Sequence, residues 1–328
     1  MLKNSHSLKS SKNLLAFSAG GDSTSLFFLL LEQNIPFDIA IVDYALREQS
    51  KEEITYAQSL AKRYKLKCFV CKAPKIEKNF EAEARAIRYD FFESLMKQYG
   101  YENLLTGHHL GDRLEWMLMQ LCRGAGALEL AGMQGIEARA NYMLIRPLLH
   151  LSKEELLAYL HKKDIKYFED ESNSDESYKR NEFRHNYAQP LLSKYKKGIR
   201  KSFEYLDKDR ETLVKEVLLK QCNALYYFKS TQSRRSDIFH IDRYFKSIGK
   251  VLSSKERKLL ELENSVVISR KYILSFWKEY ILITPFLSNV VMKKEFKEQM
   301  RKLKIPPKIR AYLSTDAEAV ALLSLLLE

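Results

Sequence analysis

The sequence predicts an α/β protein in which a doubly wound, mostly parallel sheet is followed by a second, smaller and mainly helical domain. Two observations lead to this prediction. Short apolar runs alternate with amphipathic stretches through the first half of the chain, as expected for strands that are each followed by a covering helix. The 328 residues exceed one average domain, and after Pro190 the sequence becomes more basic and loses the alternation. We therefore expect domains at residues 1–200 and 201–328.

Each element follows from the spacing of apolar residues and from the turn residues beside it. In the first domain, strands are predicted at 13–18, 37–43, 66–72, 103–106 and 142–145, and helices at 23–32, 48–64, 80–99, 111–121 and 153–161. Residues 164–186 are polar and predict a loop followed by the start of a helix. The second domain is predicted to contain a basic helix from 193 to about 220, strands at 266–269 and 272–283, a basic helix at 292–302 and a last apolar helix.

The charge and composition of the chain limit its class. Lys and Arg number 55 against 42 Asp and Glu, giving a net charge of +13, which favours a polyanionic partner such as nucleic acid. No apolar run is long enough to span a bilayer and the first residues are polar, so we expect a cytoplasmic protein without a membrane partner. Four cysteines, including Cys68 and Cys71, are too few for a disulfide framework and are interpreted as structural.

A turn of small polar residues separates the first predicted strand from the first long helix. Such a turn leaves the first N–H groups of the helix available to an anion, and its glycines allow close approach. The turn lacks the lysine of a Walker-type loop. Its order of residues resembles the pyrophosphate-binding loop of enzymes that split ATP into AMP and pyrophosphate, although glycine and serine are also common in ordinary turns. The predicted ATP-binding residues are Ser18, Ala19, Gly20, Gly21, Asp22 and Ser23.

Three carboxylates are predicted to face the same crevice as this loop. Asp43 ends the second strand, while Asp112 and Glu115 begin the helix after the fourth strand. Asp112 and Glu115 are three positions apart and share a helix face, where they can hold Mg²⁺ or an incoming ammonium group. The residues alone leave other roles open: the pair can complement the helix dipole, and Asp43 can cap a helix. Arg123 is likewise either a phosphate ligand or a cation at a helix end.

Several motifs occur along the chain in one order. They read Ser-Ala-Gly-Gly-Asp-Ser at 18–23, Val-Asp-Tyr-Ala-Leu-Arg at 42–47, Ala-Arg-Ala-Ile-Arg-Tyr at 84–89, Gly-His-His-Leu-Gly-Asp-Arg-Leu-Glu at 107–115, Arg-Gly-Ala-Gly at 123–126 with Gly-Met at 132–133, Arg-Pro-Leu at 146–148, Asp-Glu-Ser-Asn at 170–173 and Arg-Asn-Glu-Phe-Arg at 180–184. Through these motifs, residues 13–192 resemble the tRNA(Ile)-lysidine synthetase family. The basic remainder resembles the helical tRNA-binding region of its short form.

The resemblance implies a PP-loop ATP pyrophosphatase domain with an adenine nucleotide alpha hydrolase-like fold. It also implies a ligase that forms a carbon–nitrogen bond. In that reaction ATP adenylates the wobble cytidine, position 34, of the isoleucine tRNA with a CAU anticodon, and pyrophosphate leaves. Free L-lysine then replaces AMP at C2 of the base, which changes codon specificity from AUG to AUA. ATP would be a substrate, and Mg²⁺ is expected at Asp22 or Asp112.

The resemblance also assigns roles residue by residue. Asp43, Asp112 and Glu115 would be catalytic. The tRNA and the lysine substrate would be bound by residues taken from the later motifs: Arg85, Arg88, His108, Arg123, Arg146, Asp170, Asn173, Arg180, Asn181 and Arg184.

Three departures from the family pattern bear on these roles. Ala19 replaces a loop glycine, which we expect to be tolerated only with a negative φ. Tyr44 and Ala45 replace His-Gly, and Arg113 replaces a glutamine, which predicts an extra cation near the ATP. Two other functions stay open: a tRNA thiolase on the same ATP-splitting domain, which usually needs a cysteine cluster, and a non-catalytic nucleotide- or RNA-binding module.

Overall fold

The computed structural model describes residues 2, 5–44, 49–77, 80–139, 141–169, 179–214 and 217–326. The chain divides into two compact units, Met1–Lys208 and Asp209–Glu328. Each unit has its own sheet and its own apolar cores. Within the described ranges, no helix combines the length and the apolar character needed to cross a membrane.

The N-terminal unit is built on a six-stranded sheet. Its strands are β1 (Asn13–Ala16), β2 (Phe37–Asp43), β3 (Cys68–Lys72), β4 (Asn103–Leu105), β5 (Ile136–Ala138) and β6 (Met143–Ile145). Their spatial order is β3-β2-β1-β4-β6-β5, and every neighbouring pair is parallel except β6 and β5. This confirms the predicted doubly wound sheet. The order reverses between β1 and β4, and such a switch point is where sheets of this kind bind ligands.

Helices cover both faces of this sheet. They are α1 (Ser5–Lys9), α2 (Gly21–Glu32), α3 (Gln49–Tyr64), α4 (Phe80–Tyr99), α5 (Leu110–Leu121), α6 (Ala127–Leu130), α7 (Lys153–Lys162), α8 (Lys179–Phe183) and α9 (Gln189–Leu213). Leu14 and Leu15 of β1 are fully buried and belong to different cores, Leu15 with Leu26 of α2 and Leu14 with Phe92 of α4. Because successive strand residues face opposite sides, each side of the central strand is covered by helices.

The region after α7 differs in part from its prediction. A loop followed by the start of a helix is predicted over 164–186, and α8 begins within this range, at Lys179; a π-helical turn, Arg184–Ala188, joins it to α9. Helix α9 ends at Leu213, earlier than the predicted 220. Leu114 of α5 packs with Ala188 and Phe203. This packing fixes the helical region against α5 and brings its arginines to the start of that helix.

The C-terminal unit is built on an antiparallel sheet with the order β7-β8-β11-β10-β9. Its strands are β7 (Lys220–Cys222), β8 (Leu225–Lys229), β9 (Ser265–Ile268), β10 (Tyr272–Trp277) and β11 (Tyr280–Pro285). Its helices are α10 (Arg234–Ser247), α11 (Ser254–Leu262), α12 (Lys294–Lys302), α13 (Arg310–Leu313) and α14 (Ala317–Leu325), with a 3₁₀ turn at Pro307–Ile309. More of its described residues lie in helices than in strands, in line with the predicted helical character.

The sheet of this unit is larger than the sequence predicts. Residues 272–283, predicted as one interrupted strand, form a hairpin that turns at Lys278, whose φ is +51°. Strands β7 and β8 are absent from the prediction. In β8, Tyr227 packs in one core and Phe228 in the other, because helices cover both faces of the sheet. A strand buried on both faces lacks the alternation by which strands are recognised.

Candidate active site

The loop between β1 and α2 is folded so that the start of the helix is available to an anion. Helix α2 begins at Gly21, and its N-cap residue Gly20 offers no side-chain hydrogen bond to the first turn. Ser23 Oγ accepts a hydrogen bond from Ser18 N at 3.2 Å and donates one to the Gly20 carbonyl at 3.1 Å. The serine therefore closes the loop internally and leaves the first N–H groups of α2 for a ligand such as a phosphate group.

Ala19 contradicts the expectation of a negative φ, because its φ is +59°. An L-residue in this left-handed region costs roughly 1–2 kcal/mol relative to the right-handed one. The residue is fully buried, and its carbonyl accepts a hydrogen bond from Phe168 N at 3.0 Å. A β-bridge between Gly20 and Phe168 holds the next residue. These contacts maintain a loop geometry that glycine would adopt without strain.

The loop after β4 packs directly on the start of α2. A Cβ at Gly107 would lie 3.1 Å from the Asp22 carbonyl carbon and 3.1 Å from Ser23 N. Both are backbone atoms of a helix start, which cannot move aside as a flexible side chain can. Glycine at this position therefore allows the two loops at the switch point to touch, and it brings His108 and His109 beside Asp22.

The buried imidazole of His109 lies between two carboxylates. Its Nε2 is 3.7 Å from Asp22 Oδ2 and 3.6 Å from Asp112 Oδ2. Its Nδ1 accepts a hydrogen bond from Gly111 N at 3.0 Å, so the neutral ring carries its proton on Nε2, toward the carboxylates. A Cβ at Gly111 would be 2.6 Å from His109 Cε1, so glycine leaves the room that the ring occupies.

His109 is absent from the site residues that the sequence predicts. The signal for it is its position immediately before the helix whose third residue is Asp112, where a side chain can cap the first turn. The structure shows this cap in full, since the Asp112 carboxylate also accepts a hydrogen bond from His109 N at 2.9 Å. His109 therefore both caps α5 and connects it to the loop.

The two carboxylates beside His109 have pKa values shifted in opposite directions. Burial raises the pKa of Asp22 above its ordinary value, with Asp112 adding to the rise and His109 opposing it. Burial acts on Asp112 in the same sense, but His109, His108 and Arg180 outweigh it and hold the pKa of Asp112 below its ordinary value. The buried Asp22 Oδ1 has no hydrogen-bond partner within the described part of the chain. Asp22 is therefore the carboxylate that gains most from an additional cation.

Two arginines enclose the carboxylates of α5. Arg184 Nε donates to Glu115 Oε1 at 2.7 Å, and Arg180 Nε donates to Glu115 Oε2 at 3.1 Å. Arg180 Nη2 also donates to Asp112 Oδ1 at 2.8 Å. Glu115 is only 2% exposed, so it relies on these partners for its charge. Burial alone would lower the pKa of Arg180, but Asp112 and Glu115 reverse this and raise it, which keeps the Arg180 guanidinium charged.

His108 is held neutral beside this cluster. Burial lowers the pKa of His108 to about 4, although Asp112 acts in the opposite direction. Its Nδ1 lies 2.8 Å from Thr106 Oγ1. The ring therefore carries no charge at pH 7 and can serve as a hydrogen-bonding group, but not as a phosphate-binding cation.

The remaining predicted residues are placed in several ways. Asp43 ends β2 and is half-buried, and Asn181 is buried in α8. Arg146 is buried and donates to the Gln134 carbonyl at 2.8 Å and to Glu137 at 2.9 Å. Exposed positions are taken by Arg85 and Arg88 on α4 and by Arg123 just after α5. Asp170 and Asn173, with residues 45–47 of the second motif, lie outside the described residues.

The expectation of an extra cation near the ATP is wrong for Arg113. Its guanidinium forms a two-pronged ion pair with Asp207 of α9 and donates to the Ala131 carbonyl at 3.0 Å. It also lies over the Phe203 ring, 4.4 Å from the centroid. On a helix, position 113 faces away from the site that Asp112 and Glu115 share, and the side chain follows that geometry. Tyr44, the other departure, donates to the Ala84 carbonyl at 3.0 Å.

The chain is similar to several known proteins. Residues 1–191 match the family model of the PP-loop domain. The chain is similar to the tRNA(Ile)-lysidine synthase of Helicobacter pylori (strain ATCC 700392 / 26695), with 45% identity over 94% of this chain and 91% of that protein. The synthase of the same name from Wolinella succinogenes is 45% identical over 95% of both chains. That from Campylobacter jejuni (strain ATCC 700819 / NCTC 11168) is 42% identical over 93% of both.

Among solved structures, the chain is similar to the U34-tRNA thiolase NcsA from Methanococcus maripaludis. The TM-score is 0.49 and the identity is 18%, over 61% of this chain and 73% of that chain.

The strain at Ala19 gives a first prediction. Ala19→Gly is expected to raise the free energy of unfolding by up to about 1 kcal/mol, because glycine adopts the positive φ without strain. The greater conformational freedom of glycine in the unfolded chain offsets part of this gain. Urea denaturation measures the change. Ala57→Gly, at a fully buried position inside α3, is the matched control and should lose roughly 1 kcal/mol or more. Equal losses in the two variants would contradict strain at Ala19.

The opposite pKa shifts give a second prediction, for thermal unfolding without ligands at pH 7. Asp22 has a folded-state pKa above its ordinary 3.8, so its contribution to stability is full below that value and is lost as the pH rises through the folded pKa. Asp112 has a lowered pKa, so its contribution is present above 3.8 and is lost as the pH falls through the folded pKa. We therefore expect Asp22→Asn to raise Tm and Asp112→Asn to lower it. A Tm change of the same sign in both variants would exclude this assignment.

Proposed function

The chain belongs to the tRNA(Ile)-lysidine synthase family, and we propose that it is a ligase that joins free L-lysine to C2 of the wobble cytidine of an isoleucine tRNA with a CAU anticodon. In the first step, O2 of the cytosine attacks the α-phosphorus of ATP. An O–P bond forms, the bond between the α- and β-phosphates breaks, and pyrophosphate leaves. In the second step, an amine of lysine attacks C2, the C–O bond breaks, and AMP leaves with the oxygen while the amine gives up a proton.

The observation that carries this proposal is the position of His109 between Asp22 of the loop and Asp112 of α5, at 3.7 and 3.6 Å. It joins an anion-binding helix start to a carboxylate cluster within one site. The first step needs the loop, whose N–H groups stabilise the charge that develops on the departing pyrophosphate. The second step needs the carboxylates, which attract an ammonium group and accept hydrogen bonds from it. Both steps can therefore use one bound base.

The carboxylates of α5 have separate tasks in this proposal. Glu115 is enclosed by Arg180 and Arg184, so it acts by positioning the two guanidinium groups. Asp112 shares His109 with the loop and is the carboxylate that meets the lysine amine. Arg180 is about one-third exposed at its side chain, and the incoming amine competes with it for Asp112. Displaced guanidinium groups are then available to the lysine carboxylate or to phosphate.

Mg²⁺ fits the donor set at the loop. The buried Asp22 Oδ1 lacks a hydrogen-bond partner in the described structure, and burial disfavours its uncompensated charge. Mg²⁺ is commonly held by one or two carboxylates together with substrate phosphates. We assign Asp22 as the residue that would hold the ion. When bound, Mg²⁺ neutralises part of the triphosphate charge.

Basic side chains of α9 are proposed to bind the tRNA backbone, and the C-terminal unit is proposed, separately, to contribute to tRNA binding. Lys196, Lys197 and Lys201 form a basic segment of α9, and Arg85 and Arg88 are exposed on α4. Lysine and arginine side chains on one RNA-binding surface neutralise backbone phosphates, which makes the affinity sensitive to salt. Asp43, at the end of β2, is assigned to orient the base or to relay a proton.

The thiolase alternative is not favoured. The four cysteines lie far apart in sequence except Cys68 and Cys71, and among the described residues no group of three or more His, Cys, Asp or Glu side chains is arranged to hold a metal ion. Burial raises the pKa of Cys68 to about 11, which disfavours its reactive thiolate.

Release of AMP tests the function directly. The purified protein is incubated with ATP, lysine and unmodified isoleucine tRNA, and we expect AMP release that requires all three substrates. Asp112→Asn should lower the rate at least about 100-fold, because the variant loses a charge that contacts the second substrate. Sulfide-dependent tRNA modification, or iron in the purified protein, would instead indicate a thiolase. ATP binding without AMP release would indicate a binding module.

The basic segment of α9 gives a further prediction. Reversing Lys196, Lys197 and Lys201 to Glu should weaken tRNA binding about 100-fold or more at 50 mM salt and reduce its salt dependence, without changing the Kd for ATP. The control reverses Lys62, Arg63 and Lys65, which are exposed at the end of α3 opposite the carboxyl ends of the strands. Filter binding at several salt concentrations measures both. Equal weakening in the control variant would place the tRNA elsewhere.

A further inference from the structure

Trp116 is a large exposed side chain on the helix that carries the reactive carboxylates. It is 42% exposed, whereas Trp277, the second tryptophan of the chain, is 2% exposed. The pyrrole edge of Trp116 rests against Gly132, where an added Cβ would lie 2.7 Å from Trp116 Cδ1. Gly132 has a φ of +63°, so glycine is favoured there for its backbone and for the space it leaves. The indole is thus supported at one edge and accessible to solvent elsewhere.

The position of Trp116 relates it to the site. It lies four residues after Asp112, so the two side chains share a face of α5 and are separated by about 6 Å along the helix axis. Arg123 follows seven residues after Trp116, in the turn just past the end of the helix, and is exposed. A carboxylate and an aromatic ring therefore follow one another along α5, and a cation follows just past the end of the helix.

We propose that Trp116 stacks on an unpaired RNA base next to the base that reacts, with Arg123 on the adjoining phosphate. This inference rests on the proposed function. A base that reacts at Asp112 must leave its loop, and its neighbours then lose a stacking partner. An exposed aromatic ring restores that stacking without selecting the base, and an arginine neutralises the backbone.

Fluorescence tests this contact independently of catalysis. Emission of the parent protein minus that of Trp116→Phe reports on Trp116, because the buried Trp277 is common to both. We expect the isolated anticodon stem-loop RNA, with the CAU loop, to quench this emission and to protect Trp116 from acrylamide. Unchanged emission and unchanged acrylamide quenching at saturating RNA would overturn the proposal, whether or not the protein forms lysidine.

Kinetics of three variants separate stacking from burial of an apolar group. Trp116→Ala should raise KM for tRNA about 5- to 100-fold while the KM values for ATP and lysine stay within twofold. Trp116→Phe should retain most of the affinity, and Trp116→Leu should lose it. Leu121→Ala is the matched control, since Leu121 is 54% exposed on the same helix but about 140° round from Trp116.

The outcomes distinguish this inference from the proposed function. If the parent releases AMP with all three substrates but Trp116→Ala keeps its KM for tRNA, the reaction assignment holds and the stacking role is wrong. If Trp116→Leu matches the parent, the surface contacts RNA, or another macromolecule, without stacking, and the proposal also fails. Unfolding of each variant by heat confirms that the comparison is made on folded protein.

Discussion

The contact between Gly107 and the backbone of Asp22 and Ser23 is the constraint on which the site depends. Strands β1 and β4 are parallel neighbours, so the loops that follow them leave the sheet at the same edge. Without a side chain at Gly107 the two loops meet backbone to backbone, and the position of His109 relative to Asp22 follows from that contact. The cap that His109 forms with Asp112 then fixes the start of α5. Thus the absence of a Cβ at Gly107 sets the position of the anion-binding loop relative to the carboxylate cluster.

The unfavourable features of the site are concentrated in the loop that is proposed to bind ATP. Ala19 is strained and Asp22 is a partly buried acid whose Oδ1 is unsatisfied among the described residues, whereas Asp112, Glu115 and the two arginines are mutually paired. Strain and unpaired charge subtract from a total stability of only about 5–15 kcal/mol. A ligand that binds the folded state restores stability by mass action, so ATP bound at the proposed site should recover stability that the loop loses.

The parallel sheet and the candidate site could be predicted largely from the sequence, because strand ends and short motifs are local. The end of β2 at Asp43 and the spacing of Asp112 and Glu115 are of this kind. Contacts across the fold could not be predicted. The positive φ of Ala19 is maintained by a contact with Phe168, which is far along the chain. Arg113 lies on the face of α5 that packs against α9, and the sequence motif does not reveal which face that is. Strand β8 was not predicted, because both of its faces are buried and its sequence lacks the alternation of apolar and polar residues.

Helix α5 connects the parts of the N-terminal unit that the reaction needs. One face carries Asp112 and Glu115, and a second carries Leu114 and Arg113, which hold α9. Trp116 is exposed beyond the carboxylates. Since these side chains share one rigid helix, a shift that loosened α9 would also move the carboxylates relative to Asp22. Arginine at position 113, where the resemblance gives glutamine, therefore acts through packing: its ion pair with Asp207 anchors the basic helix to α5.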